Sequence, residues 1–170
     1  MTDKIYNVLF LCTGNSARSI MGEALMNKLG QGRFRGFSAG SRPKGEVHPM
    51  ALDVLRGMGF AIEGLRSKSW DEFAGPDAPH MDFVFTVCGN AAGETCPVWP
   101  GHPVTAHWGI DDPAAVEGPG QHDAFLQALR YLRRRIELFL ELPVASIDAL
   151  SLRTRVQAIG DELSRREGAA

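Results

Sequence analysis

The chain has 170 residues, of which 44% are hydrophobic and 22% charged, and its formal net charge at pH 7 is −2. This composition is typical of a single globular domain with its own core, and the lack of a basic excess argues against nucleic-acid or membrane-surface partners. The apolar stretch near the N-terminus is too short for a signal peptide or a membrane span, so we expect a cytoplasmic protein.

The chain contains three cysteines, Cys12, Cys88 and Cys96. Such a small, odd number argues against a framework of structural disulfides. In a reducing compartment it favours cysteines that are free, catalytic or metal-bound. Which of these applies depends on where the cysteines lie relative to the predicted strands.

The first third of the chain alternates predicted strands and helices. Residues 5–11 (IYNVLFL) are almost continuously apolar, which is typical of a strand buried on both faces of a parallel sheet. A helical apolar pattern begins at Arg18 and ends at Gly30, and a short strand is predicted at 35–39. Pro49 suits the first turn of a second helix.

In the middle of the chain the sequence pattern predicts two more strands and a short helix. We expect a third strand at 60–62 (FAI) and a short helix at 67–74. The apolar run 81–88 (MDFVFTVC) predicts a buried strand that, like the first one, ends in a cysteine. Residues 89–103 are rich in glycine and proline and predict a long loop, a feature that is often functional in compact domains.

Two helices are predicted in the last third. An amphipathic pattern covers about 122–141, with the run 133–135 (RRR) expected on its solvent side, and a last helix covers 150–164. The alternation of strands and helices implies an α/β protein with an open parallel sheet, helices on both faces and ligands at the carboxyl ends of the strands. We assign residues 1–145 to the domain and 146–170 to a helical extension packed on it or trailing it.

The first predicted strand ends at Cys12, six residues before Arg18. In a short strand–helix loop several backbone N–H groups can converge, and the helix dipole adds positive potential. An arginine at the helix start can hold two oxygens of a tetrahedral oxyanion, and Gly14 and Asn15 tolerate the tight backbone that such a loop needs. The same field favours a thiolate, so Cys12 is a candidate nucleophile, with Ser19 as a donor to its sulfur.

The predicted oxyanion-binding residues form one continuous segment: Thr13, Gly14, Asn15, Ser16, Ala17, Arg18 and Ser19. A Cys-x5-Arg spacing alone is a weak signal in a chain rich in arginine, and a buried core cysteine beside a helix-capping turn is the alternative. The strand before the segment and the helix after it favour the oxyanion loop.

The segment VLFLCTGNSARSIMGEAL resembles the signature of the low-molecular-weight phosphotyrosine phosphatase superfamily, and within it the thioredoxin-coupled arsenate reductases. The resemblance continues, in the family's order, through the motifs FSAG (37–40), HPMA (48–51), TVCGNAAGETCPVWPG (86–101) and HWGIDDPA (107–114). It implies a three-layer fold with a four-stranded parallel sheet of order 2-1-3-4. It also implies an arsenate reductase of arsenical resistance that needs no cofactor. Because no apolar stripe in the sequence demands a partner, we expect this protein to be a monomer.

In this family an Asp-Pro motif supplies the acid that protonates the departing oxygen, and Asp112 matches it. Its neighbour Asp111 is the less favoured choice. Without the resemblance, the same motif would read as a turn or helix-start signal.

The resemblance further implies a relay of three thiols. Cys12 attacks arsenate, Cys88 then attacks Cys12 and releases arsenite, and Cys96 attacks Cys88. An external thiol protein reduces the final Cys88–Cys96 disulfide. Thioredoxin, a glutaredoxin system and mycothiol are all compatible with the number of thiols.

Two other functions stay open. A phosphatase of this superfamily would hydrolyse phosphate esters through a phosphocysteine at Cys12 and would need no other thiol. Such phosphatases commonly carry adjacent tyrosines after the Asp-Pro motif, whereas the only tyrosines here are Tyr6 and Tyr131. The second alternative is a redox sensor or a module that binds phosphate or sulfate without turnover.

No metal site is predicted. The spacing of Cys88, Cys96, His102 and His107 contains none of the tight cysteine pairs typical of zinc sites. Some members of the family bind potassium through residues that match Asn15, Glu23 and Ser38 together with a downstream acid. The downstream match in RSKSWDEF (66–73) is poor, and Lys68 could supply a positive charge there instead.

Overall fold

The computed structural model of the chain describes residues 4–87 and 103–168, with side chains up to residue 163. Its strands are β1 (Tyr6–Cys12), β2 (Phe34–Gly40), β3 (Phe83–Thr86) and β4 (Val104–His107). Its α-helices are α1 (Arg18–Leu29), α2 (Pro49–Gly57), α3 (Gln121–Leu140) and α4 (Ala149–Gly168). None of the helices within the described ranges combines the length and the apolar character needed to span a bilayer.

The four strands form one parallel sheet in the order β2-β1-β3-β4, which confirms the predicted order. The register pairs Cys12 with Gly40 on one side of β1 and Leu11 with Thr86 on the other. Thr86 in turn pairs with His107. The carboxyl ends of all four strands therefore meet at one edge of the sheet.

The prediction of a strand at 60–62 is wrong. Gly59 has a φ of 85°, and the backbone N–H of Phe60 donates to Leu55 O at 2.9 Å, so this segment closes the end of α2 instead of joining the sheet. Phe60 is buried in the core, which explains its apolar character. The fourth strand is β4, whose four residues, VTAH, carry too short an apolar pattern to predict a strand.

Both faces of β1 are buried, as predicted. Val8 and Phe10 belong to the larger core cluster, which includes apolar residues of all four α-helices, and Leu9 and Leu11 belong to a smaller cluster on the opposite face. The 3-10 helix Trp70–Phe73 covers that opposite face and is capped by Ser69, whose side chain accepts from the Asp71 N–H. The short helix predicted at 67–74 is therefore present as a 3-10 turn.

The helix α3 matches its predicted range closely, but the expectation that residues 133–135 all lie toward solvent is wrong. Arg134 is exposed, whereas Arg135 is fully buried. The reason is its position three residues after Leu132 and four before Phe139, both of which are core residues. Its guanidinium donates to the carbonyl of Tyr131 at 3.2 Å and to that of Gly109 at 3.4 Å.

The last helix packs against β4, the edge strand of the sheet. The indole N–H of Trp108 donates to Val156 O at 2.7 Å, and the His107 N–H donates to Gln157 Oε1 at 3.0 Å. At Gly160 a Cβ would lie 2.5 Å from His107 O, so only glycine allows this close approach. Cys88, Cys96 and nearly all of the predicted loop 89–103 lie outside the described residues.

Candidate active site

The loop after Cys12 is tied to the loop after β2. Three backbone hydrogen bonds join them: from Arg42 to Thr13 (2.9 Å), from Lys44 to Gly14 (2.9 Å) and from His48 to Ser16 (2.8 Å). Because a trans peptide points its C=O and N–H in opposite directions, the N–H groups that follow these carbonyls face away from the β2 loop. They can therefore serve an oxyanion on the other side.

Asn15 fixes the middle of this loop. It is fully buried, and its φ of 44° lies in the left-handed region that few residues other than glycine adopt. Its side-chain amide donates to Ser19 Oγ at 2.7 Å, and its Oδ1 accepts from the backbone N–H of Lys68 at 2.9 Å. Gly14 meets a different need, because a Cβ there would lie 3.2 Å from Lys44 Cε.

The N-terminus of α1 adds positive potential at the same place. Its N-cap residue, Ala17, has no side-chain oxygen that could cap the helix, and the first turn contains no acidic residue. The first N–H groups of an α-helix have no partner within the helix, and the helix dipole places partial positive charge there. This end of α1 is therefore suited to an anion.

The loop encloses a cavity of about 220 Å³. Its lining consists of Cys12, Thr13, Gly14, Asn15, Ser16, Ala17, Arg18, Arg42, Lys44 and Asp112. Cys12 is only 4% exposed. The fold thus brings together the predicted nucleophile, six of the seven predicted oxyanion-binding residues and the predicted acid. The seventh residue, Ser19, is fully buried and bonded to Asn15.

Arg18 connects the Cys12 loop to the loop that carries Asp112. One of its guanidinium nitrogens, Nη1, donates to the carbonyl of Ile110 at 3.0 Å. Its Nη2 lies 3.7 Å from Asp112 Oδ2. The side chain of Arg18 is 13% exposed and that of Asp112 is 43% exposed, so the carboxylate lies on the solvent side of the pair.

Asp112 also caps a short helix. Its Oδ1 accepts from the Ala114 N–H at 3.0 Å at the start of the 3-10 helix Pro113–Ala115. The alternative reading of this motif as a helix-start signal is therefore locally correct. It leaves the other carboxylate oxygen beside Arg18, so the capping role and the place at the cavity are compatible.

Residues 7–150 match the family model of the low molecular weight phosphotyrosine protein phosphatases. The chain belongs to this family. The match covers the sheet, apart from Tyr6 at the start of β1, and every described residue that lines the cavity.

Relatives within the family are arsenate reductases, the branch that the sequence motifs predicted. The arsenate reductase of Bacillus licheniformis is 39% identical over 137 residues, which are 79% of this chain and 94% of that protein. The arsenate reductase of Bacillus subtilis is 36% identical over 143 residues, which are 83% of this chain and 98% of that protein. The resemblance to the arsenate reductase branch is thereby confirmed.

Solved structures share the fold. An arsenate reductase in its phosphate binding state has a TM-score of 0.65 at 28% identity, covering 78% of this chain and 94% of that chain. The thioredoxin-dependent arsenate reductase of Corynebacterium glutamicum has a TM-score of 0.60 at 22% identity, covering 86% of this chain and 66% of that chain. At that lower identity the likeness concerns the fold alone.

Contacts with β3, α3 and Val87 hold the loop that carries Asp112. Trp108 is fully buried, and its ring stacks on Phe85 with a centroid separation of 3.9 Å. Arg135 reaches the Gly109 carbonyl from α3, and the Ile110 N–H donates to Val87 O at 3.1 Å. These contacts fix the backbone immediately before Asp112.

A buried ion pair lies behind the Cys12 loop. Lys68 Nζ is 3.5 Å from Glu23 Oε1 and 3.4 Å from Ser38 Oγ, and it donates to the Arg66 carbonyl at 2.8 Å. Ser38 Oγ donates to Glu23 Oε1 at 2.6 Å. Burial lowers the pKa of the Lys68 ammonium below its ordinary value of 10.5, and the charge of Glu23 opposes this only in part.

This cluster does not suit a potassium ion. The oxygens of Glu23, Ser38 and the Arg66 carbonyl already surround the ammonium of Lys68, so an added cation would meet a like charge at the same point. Within residues 4–87 and 103–168, no group of three or more histidine, cysteine and acidic side chains could hold a metal ion.

The two remaining cysteines follow a strand that ends beside Cys12. Val87, which directly precedes Cys88 in the chain, is fully buried and donates its N–H to the carbonyl of Leu11 at 2.9 Å. Leu11 directly precedes Cys12. The roles predicted for Cys88 and Cys96 concern residues outside the described part of the chain.

Three cations near the site were not predicted from the sequence. Arg42 and Lys44 line the cavity, and Arg135 holds the Asp112 loop. The first two had a usable signal: they follow β2, and the carboxyl ends of neighbouring parallel strands meet at one edge. Arg135 also had one, because it lies three residues after Leu132 and four before Phe139, on the apolar face of α3, whereas Arg134 does not.

Proposed function

We propose that the protein reduces arsenate to arsenite through a relay of Cys12, Cys88 and Cys96, with electrons from an external thiol protein. The observation that carries the proposal is the single cavity that contains Cys12, the oxyanion loop, Arg18 and Asp112. Relatives that match over nearly their whole length are arsenate reductases, which supports arsenate as the oxyanion.

In the first step the Cys12 thiolate attacks the arsenic atom of arsenate. An S–As bond forms, and one arsenate oxygen departs as water once it has been protonated. The N–H groups of the loop and the guanidinium of Arg18 hold the remaining oxygens. The N-terminus of α1 and Arg18 stabilise the thiolate before the attack.

We assign the proton transfer to Asp112. Asp112 lines the cavity, and its Oδ1 already accepts a hydrogen bond from the Ala114 N–H, so we assign the transferred proton to Oδ2. Hydrogen bonds made by Arg135, Trp108 and Ile110 hold this loop in place before any substrate binds. A pre-positioned acid avoids a reorganisation cost during the reaction.

In the next two steps arsenic is reduced and the resulting disulfide is transferred from Cys12 to the pair Cys88 and Cys96. Cys88 attacks Cys12 Sγ, an S–S bond forms, and the electron pair of the broken S–As bond remains on arsenic, which leaves as arsenite. Cys96 then attacks Cys88, Cys12 departs as a thiolate, and the disulfide joins Cys88 and Cys96. The position of Val87 beside Leu11 supports the first exchange, because the chain reaches Cys88 directly from there.

A thiol protein completes the cycle by reducing the Cys88–Cys96 disulfide with two electrons. The thioredoxin-dependent enzyme of Corynebacterium glutamicum shares the fold and makes thioredoxin the first reductant to test. Because the resting enzyme needs three reduced thiols, we place its action in the cytoplasm. We further propose that it acts as a monomer, since every residue assigned to the relay belongs to one chain.

The second candidate function is hydrolysis of phosphate monoesters through a phosphocysteine at Cys12. Membership of a phosphatase family favours it. The positions of the two tyrosines weigh against it. Tyr6 lies at the amino-terminal end of β1, opposite the strand end that carries Cys12, and Tyr131 lies on α3, where its hydroxyl accepts a hydrogen bond from Gln127. Neither is among the residues that line the cavity.

One coupled assay separates these functions. Purified protein is mixed with thioredoxin, thioredoxin reductase and NADPH, and NADPH consumption is followed with and without arsenate. Consumption that requires arsenate supports the reductase. Rapid hydrolysis of p-nitrophenyl phosphate that is unchanged by Cys88→Ser and Cys96→Ser would favour the phosphatase, and binding of arsenate without either activity would favour a non-catalytic oxyanion sensor.

A further inference from the structure

The loop after β2 brings two cations to the mouth of the cavity. The side chains of Arg42 and Lys44 line it together with Arg18 and Asp112. Their own backbone N–H groups donate to the carbonyls of the Cys12 loop at 2.9 Å each, so the two residues are attached to the loop that they face. The Lys44 side chain lies across Gly14, where a Cβ would come within 3.2 Å of its Cε.

Among residues 4–87 and 103–163, no carboxylate is paired with either of these two cations. Both residues are exposed, and within the described part of the chain neither forms an ion pair, whereas Arg18 shares its charge with Asp112 at 3.7 Å. Pro43 lies between them and restricts the backbone. The described lining of the cavity therefore has three cations against the Asp112 carboxylate and the proposed Cys12 thiolate, and Arg42 and Lys44 form no ion pair with any other described residue.

Such an excess of positive charge distinguishes oxyanions by their charge. Arsenate and phosphate are mixtures of a monoanion and a dianion near neutral pH, while sulfate is a dianion throughout. Attraction to two further cations is about twice as strong for the dianion, and concave sites of one sign raise association rates about 10–10³-fold at low ionic strength. Arg42 and Lys44 line the cavity and are exposed to solvent, whereas Cys12 is buried, so the two cations act on capture of the ion before it meets Cys12.

We propose that Arg42 and Lys44 determine the specificity of the site by selecting the doubly charged oxyanion, while the reaction at Cys12 does not depend on them. This inference rests on the proposed function, because it takes the cavity as the place where the reacting oxyanion is held. It goes beyond that function by assigning substrate capture to residues of the β2 loop.

The test compares Arg42→Gln/Lys44→Gln with the control Arg153→Gln/Arg155→Gln in the full chain. The control removes the same charge from the exposed side of α4. Dissociation constants for inorganic phosphate and sulfate are measured calorimetrically with the reduced protein at low and high salt. We expect binding about tenfold weaker for the first variant at low salt, a difference that shrinks at high salt, and no change for the control.

The pH dependence tests the preference for the dianion. The affinity of the wild-type protein for phosphate, expressed relative to sulfate, should rise across the second ionisation of phosphate. In Arg42→Gln/Lys44→Gln this rise should be flatter. Arg42→Lys/Lys44→Arg keeps both charges and should restore it, which a role in packing alone would not explain. Equal affinities for wild type and the Gln variant would overturn the inference.

Turnover separates this inference from the proposed function. With arsenate, the Gln variant should show a raised KM and a kcat within about twofold of wild type, because uniform binding has been lost. If wild type does not reduce arsenate yet the variant binds phosphate more weakly, the proposed function fails, while the role of Arg42 and Lys44 in selecting a bound oxyanion stands. If wild type reduces arsenate and the variant binds phosphate and sulfate equally well, the inference fails alone.

Discussion

Arg18 Nη2 lies 3.7 Å from Asp112 Oδ2, and the other end of the same guanidinium donates to the Ile110 carbonyl at 3.0 Å. Arg18 therefore belongs to both walls of the cavity: it begins α1 beside Cys12, and it holds the loop that carries the proposed acid. One side chain couples the position of the oxyanion loop to that of Asp112. We therefore expect a substitution that displaces one of these loops to change the position of the other.

Asp112→Asn should lower kcat for arsenate reduction by about 10²–10⁴-fold, because the departing oxygen loses its proton donor. Asparagine caps a helix as well as aspartate, so the melting temperature should change little. Asp111→Asn is the matched control, since Asp111 is an exposed neighbour that does not line the cavity. Equal loss of kcat in the two variants would show that charge near the loop matters and that Asp112 is not the acid.

The three cysteine variants should fail at different steps. Cys12→Ser should abolish arsenate reduction and phosphate-ester hydrolysis, because both require the nucleophile. Cys88→Ser should abolish reduction and retain slow hydrolysis. Cys96→Ser should allow at most one turnover with thioredoxin, because no thiol is left to attack Cys88 and resolve the Cys12–Cys88 disulfide.

Single-turnover arsenite release and mass spectrometry of the oxidised proteins measure these outcomes. The wild-type protein should show a Cys88–Cys96 disulfide after turnover. Continuous reduction by Cys96→Ser at the wild-type rate would remove Cys96 from the mechanism.

Arg135→Met should lower the free energy of unfolding by about 2–3 kcal/mol, because the buried guanidinium donates to two backbone carbonyls. It should also lower kcat, since one of those carbonyls, Gly109 O, belongs to the Asp112 loop. Arg134→Met removes an exposed neighbour of the same type and should change stability by less than about 0.5 kcal/mol. Denaturant unfolding and steady-state kinetics check both effects, and similar losses in the two variants would contradict the role given to Arg135.

Stability should depend on pH through Lys68. Its pKa is lowered by burial, so between the folded-state pKa and its ordinary value of 10.5 the unfolded chain binds more protons than the folded chain. The contribution of Lys68 to the free energy of unfolding therefore increases with pH in that window. Relative to Lys68→Met, the wild-type protein should become more stable as the pH rises toward 10.5.

Denaturant unfolding of both proteins at a series of pH values measures this difference. A constant difference across the window would mean that burial does not perturb Lys68. The replacement leaves Glu23 with Ser38 as its remaining partner, so the variant should be less stable than wild type at neutral pH.

Local patterns explain why much of the fold was predictable. The residues of β1 are apolar because both of its faces are buried, and the helix after Arg18 ends at glycine as expected. Residues 60–62 misled the prediction because an apolar run can serve a helix end as well as a strand, and Phe60 is buried in either case. The short β4 was missed because its four residues carry too short an apolar pattern, and the contacts that hold it come from α4, about 50 residues later in the chain.

The sequence alone was enough to predict the loop from Cys12 to Arg18 and to propose Cys12 as its nucleophile, because strand, loop and helix start are contiguous and their backbone geometry is a local property. Only the tertiary structure decided that Asp112, Arg42 and Lys44 share the cavity of Cys12, and that Lys68 fills the space beside Glu23. Those side chains come from segments that are distant in the chain. They meet because a parallel sheet brings the carboxyl ends of its strands to one edge, and no periodicity within a single segment encodes that meeting.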